Sequence, residues 1–201
     1  MYAEKIQFTK TEIQLVKFIF KHFKDRHNAR QLARMLSLNH AHVNKLCDGL
    51  VRKGLFVNER IGNAIYYAFN HTHKSALHFM AYLLSLEIRE FPPWLAVLLH
   101  HLKKFGTCID LGCVFGSSIR KRDFQDIDIL LIYAKARQRE VSKIKGSIRR
   151  AGLLDKPIRY VEMTEEDALK NKENRIFYSM FSECLIFHNA EKYVEVIQCL
   201  R

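Results

Sequence analysis

Between residues 8 and 70 the apolar positions first recur at helical spacing and then switch to alternation. Residues 9–23 read as one helix, capped by Thr9 or Thr11, with Ile13, Val16, Phe18, Ile19 and Phe20 as its apolar bulk. Polar residues 24–27 break the pattern. Asn28 opens a short second helix that turns Leu32, Ala33 and Leu36 inward, and Ser37-Leu38-Asn39 forms a tight turn. Asn39 caps a third helix running to Lys53, with Val43, Leu46, Leu50 and Val51 on its buried side. Gly54 stands where a helix end wants a left-handed residue. Two alternating runs follow, 55–60 and 64–69, and Ile61-Gly62-Asn63 between them predicts a hairpin.

The helical period then returns. Residues 75–90 carry Leu77, Met80, Ala81, Leu84 and Ile88 along one stripe, and Pro92-Pro93 ends that helix and starts another that runs to about Lys104. The stripe is broad, since Phe79, Leu83 and Leu86 are also apolar. It fits packing against the body of the protein, or a homodimer seam. A first strand is expected over 107–115, a short helical segment over 118–122 and a second strand over 126–133, buried on both faces beyond its polar entrance. A basic amphipathic helix over 137–151 turns Val141, Ile144 and Ile148 inward and ends at Gly152. A third strand covers 157–163, Thr164-Glu165-Glu166-Asp167 opens another helix, an apolar run covers 183–188, and a final helix starts at Ala190. The fold class is α+β: a first domain over 1–72, a linker helix over 73–93, and a second domain over 94–201 with a small mixed sheet and flanking helices.

Charge adds a direction. The net charge is +12, and residues 1–70 hold twelve Lys and Arg against five Asp and Glu. Such an excess points to a polyanion such as nucleic acid, or to an anionic substrate. Five cysteines without a C-x-x-C pair suggest reduced thiols in a cytoplasm. No uninterrupted apolar run approaches the roughly 20 residues a bilayer needs, so no membrane partner is expected. The opening Met1-Tyr2-Ala3-Glu4-Lys5 does not start a signal peptide.

Helix, helix, turn, helix and two-stranded wing over residues 8–70 resemble the winged helix-turn-helix of bacterial and archaeal regulators. In that module the third helix enters the major groove. The resemblance implies DNA contacts from Asn39, His40, His42, Asn44 and Lys45, with Asp48 on the same solvent side. Arg30, Arg34, Arg52, Lys53 and Arg60 would meet phosphates. The His40-x-His42 pair is poorly spaced for joint metal ligation on a helix, and His71-x-His73 has no clustered acidic or thiol partner. His100-His101 reads as helix surface.

The densest chemistry lies between Val114 and Ile132. An apolar run ends at Gly116-Ser117, a basic segment follows, and Asp126 and Asp128 stand two apart at the head of the next apolar run. Two apart on a strand is one face, and two carboxylates on one face repel unless a cation lies between them. Mg²⁺ (or Mn²⁺) suits such oxygens and leaves room for phosphate. Gly116, Ser117, Ser118 and Arg120 would hold the phosphates of a nucleoside triphosphate, with ATP the expected one.

Gly-Ser followed about ten residues on by Asp-x-Asp resembles the nucleotidyltransferase superfamily of the polymerase-beta type, most of all its minimal members, over residues 95–201. The resemblance implies a third carboxylate on a neighbouring strand and a two-metal transfer of a nucleoside monophosphate to an acceptor hydroxyl. Glu162 is the acidic residue inside the third strand, where many members carry Asp; Glu165 and Asp123 are weaker substitutes. Small members act as antitoxins that adenylylate a partner protein, so a protein acceptor stands beside a nucleic acid end or a small molecule. Two functions follow: a DNA-linked nucleotidyltransferase using Asp126, Asp128 and Glu162, or a transcriptional regulator whose second half only binds nucleotide or another partner.

Overall fold

The computed structural model describes residues 7–152 and 156–201; the five opening residues read above for a leader lie outside these. The fold is α+β. The chain forms two compact units, Met1–Leu83 and Leu84–Arg201, and the division falls within the stretch expected as a linker helix.

In the first unit, α1 (Lys10–Lys21) is capped reciprocally: Thr9 Oγ1 accepts from the Glu12 N–H, and the Glu12 carboxylate accepts from the Thr9 N–H. Leu15, Val16, Ile19 and Phe20 form its buried side. Glu12 is itself only 6% exposed, a cost met by the Lys53 ammonium at 2.6 Å. Burial pulls the Glu12 pKa upward, but the bonds from Lys53 and Thr9 outweigh it and hold the carboxyl below its ordinary value. Lys53 also donates to the Gln7 carbonyl and lies over the Phe8 ring. Its ammonium is therefore engaged by Glu12 and Gln7, although the residue itself is exposed.

The polar break holds a strand, β1 (His27–Asn28), too short to show in sequence because it exists only through pairing with Tyr66 and Tyr67. Next come α2 (Ala29–Met35), capped by Asn28, and α3 (His40–Arg52), capped by Asn39. Gly54 takes φ +74° at the end of α3, as a left-handed helix stop requires. The strands β2 (Phe56–Ile61) and β3 (Ala64–Phe69) pair Ile61 with Ala64. The hairpin loop is thus the two residues Gly62-Asn63, and Ile61 belongs to the strand. The sheet order is β1-β3-β2.

His27 is 5% exposed, and its Nε2 has no hydrogen-bond partner. Burial lowers its pKa, Asp25 opposes that, and His22 adds to it. The unfolded chain therefore takes up this proton first. The contribution of a neutral His27 is fully present above the ordinary histidine value and is lost as pH falls toward the lower folded value. His27→Phe should flatten the decline of the first unit's denaturant midpoint between about pH 7 and about pH 5. An equally steep decline in the variant would assign the effect elsewhere.

The helix α4 (Lys74–Ser85) includes the division at Leu84 and tightens to a 3₁₀ turn over Leu86–Glu90. After α5 (Pro93–Leu102), a turn over Lys103–Cys108 broken at Gly106 takes up residues expected in the first strand. That strand, β4 (Leu111–Phe115), is correspondingly short. Then come β5 (Ile127–Ile132), α6 (Gln138–Arg150), β6 (Ile158–Met163), α7 (Glu165–Lys170), α8 (Arg175–Ser182), β7 (Cys184–His188) and α9 (Ala190–Leu200). The sheet order is β6-β5-β4-β7, with β5 and β6 parallel and the other pairs antiparallel. Its core gathers Leu95, Leu98, Leu102, Phe105, Ile127, Ile129 and Leu131 with Val141 and Ile148 of α6. Gly112 is required inside β4 because a Cβ there would lie 2.3 Å from the Phe187 ring. Among the described residues no helix is long and apolar enough to cross a membrane.

Candidate functional site

Two surfaces concentrate the chemistry, one in each unit. In the first, the side of α3 opposite buried Val43, Cys47 and Leu50 is exposed at Ala41, His42, Lys45 and Arg52. Residues 41, 45 and 52 fall on one line along the helix, a spacing of whole turns. Asn39 and His40 are exposed at its start, Arg30 on the first turn of α2, and Arg60 near the hairpin tip, where its Nε donates to the Gly62 carbonyl at 3.3 Å. Not all the expected base readers are free. The Asn39 side chain accepts from the His42 N–H, and Asn44 lies within 3.5 Å of both Asp48 and the Tyr67 hydroxyl. Asp48 faces inward: its carboxylate accepts from Tyr67 at 2.8 Å and ties α3 to β3.

In the second unit, a hollow of about 760 Å³ opens beside the ends of β4, β5 and β6. Gly116, Arg120, Asp128 and Arg159 line its polar side, with Phe115, Val161, Ile176 and Met180 as an apolar wall. Gly116 has φ +82° and ψ −155°, a conformation essentially confined to glycine. A Cβ at this position would stand 2.3 Å from Asp128 Oδ2, so the backbone runs directly against that carboxylate. The Asp128 pKa is raised, by burial first and by the neighbouring Asp126 charge second, with Arg159 opposing. Asp126, its side chain 16% exposed, is ion-paired with the largely exposed Arg159 guanidinium, Nε to Oδ2 2.9 Å. Arg120 pairs with Glu183 at 2.5 Å across the rim.

The serines are not placed as the Gly-Ser turn suggested. Ser117–Ile119 is a single 3₁₀ turn, too short to present a helix N-terminus to an anion. Ser118 is buried, with its hydroxyl 3.4 Å from the Phe115 carbonyl, and neither serine lines the hollow.

Glu162 is not brought to the aspartates. In the parallel pairing Asp128 lies beside Arg159 and Leu131 beside Glu162, so alternation sends Glu162 to the opposite face. There it accepts from Tyr133 at 2.6 Å and from Lys145, and lines a separate hollow of about 280 Å³. Those two bonds hold its pKa below the ordinary value against the opposing effect of burial. The β6 side chains on the Asp128 face are Arg159, Val161 and Met163, none a carboxylate. Among the described residues no group of three His, Cys, Asp or Glu could hold a metal ion. The residues present do not fit the two-metal centre that the sequence resemblance implies.

Two contributors escaped the sequence reading. Arg159 was legible only as one face of a strand whose partner and register were unknown. The helix α8, which brings Ile176, Ser179 and Met180 to the hollow, was signalled by Asn174, whose side chain caps it, and by Phe177 and Phe181 four apart.

No family model matches the chain. None of the curated proteins matches it. Among solved structures it is similar to ZitR of Lactococcus lactis: 12% identity with one mutant form over 75% of this chain and 80% of that one, TM-score 0.34. A second mutant form gives 13% identity over 51% and 75%, TM-score 0.29. Likeness at this level carries neither a fold nor a function to this chain.

Proposed function

We propose that the chain is a DNA-binding regulator whose second unit holds a ligand cleft that binds without transferring a group. The observation that supports it most is α3, an exposed line of Ala41, Lys45 and Arg52 on a helix held in place by Asp48 and Tyr67. A cationic helix face beside a hairpin that carries Arg60 near its tip is suited to phosphates and base edges. The cleft opens on Asp128, with an apolar wall for the face of a nucleobase; the β6 face beside it carries no carboxylate for a two-metal transfer, and Glu183 at the rim is paired with Arg120.

Titration of labelled duplex DNA at several salt concentrations, followed by anisotropy, tests the first part. Binding should weaken linearly in log–log form as salt rises, by about 0.9 per phosphate contact. Salt-insensitive binding, or none, would remove the DNA reading. Incubation with labelled ATP, Mg²⁺ and candidate acceptors tests the second; retention of ATP without label transfer is the expected result.

The transferase reading keeps one specific support, the approach of Gly116 to Asp128 beside a second aspartate. It requires Asp126 to release Arg159 before a metal can bridge the pair. Label transfer abolished by Asp128→Ala would establish it in place of the binding reading.

A further inference from the structure

We infer that Arg159 is the built-in counter-ion of the aspartate pair, so that the cleft of the second unit takes its ligand without a divalent metal. Three observations converge. Asp126 is half-buried, its side chain 16% exposed, and its ion-pair partner is the Arg159 guanidinium at 2.9 Å. The parallel register sets residue 159 directly beside Asp128, so this cation neighbours Asp128 by backbone position and meets Asp126 by side-chain contact. The same register makes 159 the β6 position from which a third ligand would reach a metal between the aspartates. Arginine there supplies the opposite charge.

A divalent ion at this place would compete with Arg159 for Asp126, meet a positive charge beside it, and find two carboxylates on β5 and its entrance. The charges lining or bordering the cleft support this assignment. Asp126, Asp128 and Glu183 face Arg120 and Arg159, and two of the three carboxylates are already paired. Among the described residues Asp128 is the carboxylate of the cleft left without an ion pair, and one carboxylate is a hydrogen-bond acceptor rather than a metal cage.

The inference rests on reading the Asp126–Asp128 cleft as a binding site, and its test uses neither DNA nor nucleotide. Mn²⁺ is titrated into the full chain and free ion is followed by electron paramagnetic resonance. The native protein should leave the free-ion signal intact up to about millimolar Mn²⁺. Arg159→Asp removes the cation and places a third carboxylate beside Asp128, and should bind Mn²⁺ at least about tenfold more tightly. Adding Asp128→Asn should abolish that gain. Arg159→Gln, which keeps the length and loses the charge, should show a smaller gain of the same sign, and serves where the aspartate variant does not fold. Native protein that binds Mn²⁺ as tightly as Arg159→Asp would overturn the assignment. So would a folded Arg159→Asp with no gain, while nucleotide binding measured separately decides whether the cleft is a site at all.

Discussion

Gly116→Ala should lower the stability of the second unit by about 2–4 kcal/mol and move Asp128 out of the cleft. Two costs add. The backbone at φ +82° and ψ −155° is disfavoured for any side chain, a penalty of about 1–3 kcal/mol. The new Cβ would also lie 2.3 Å from Asp128 Oδ2 and 3.3 Å from Cγ, so the carboxylate must swing away or the turn must open. The two are separable. In an Asp128→Ala background the oxygens are gone and the remaining Cβ lies at 3.4 Å, an ordinary contact, so only the backbone penalty persists. A double-mutant cycle by denaturant unfolding should give a coupling of about 1 kcal/mol or more. Additive effects would mean that Gly116 is present for its turn alone.

What the sequence allowed to be read follows the range of the interactions. The Asn28 and Asn39 caps, the Gly54 stop and the hairpin, read with Ile61 in its loop, were legible because each is satisfied within a few residues. The burial of both faces of β5 was legible from its unbroken apolar run. The face of Glu162 was not, because it depends on which residue of β6 lies beside Asp128. A slip of one position exchanges the faces, and nothing local to either strand determines it. The short β1 escaped for the same reason, being a strand only where Tyr66 and Tyr67 come alongside. The candidate site thus divides. Gly116 and Asp128 stand together as their spacing suggested, while the cation beside them comes from a strand about thirty residues away in sequence.

Reversing the charge of both Lys45 and Arg52 should weaken DNA binding by at least about a hundredfold at low salt and reduce the salt slope by about two. These positions are the cleanest probes of α3. Asn39→Ala would remove a helix cap costing about 1 kcal/mol, and Asn44 lies against Asp48 and Tyr67, so changes at either mix folding with recognition. Lys45 and Arg52 are exposed on the side away from Val43, Cys47 and Leu50. Substitutions at such sites usually move stability by no more than about 0.5 kcal/mol. A single reversal at exposed Lys143 of α6, set against Lys45→Glu alone, separates location from net charge. If α3 is the recognition helix, Lys143→Glu should leave the affinity within about threefold of native while Lys45→Glu does not. Equal losses from the two would mean that DNA responds to the overall charge of +12, and that α3 has no special place in its recognition.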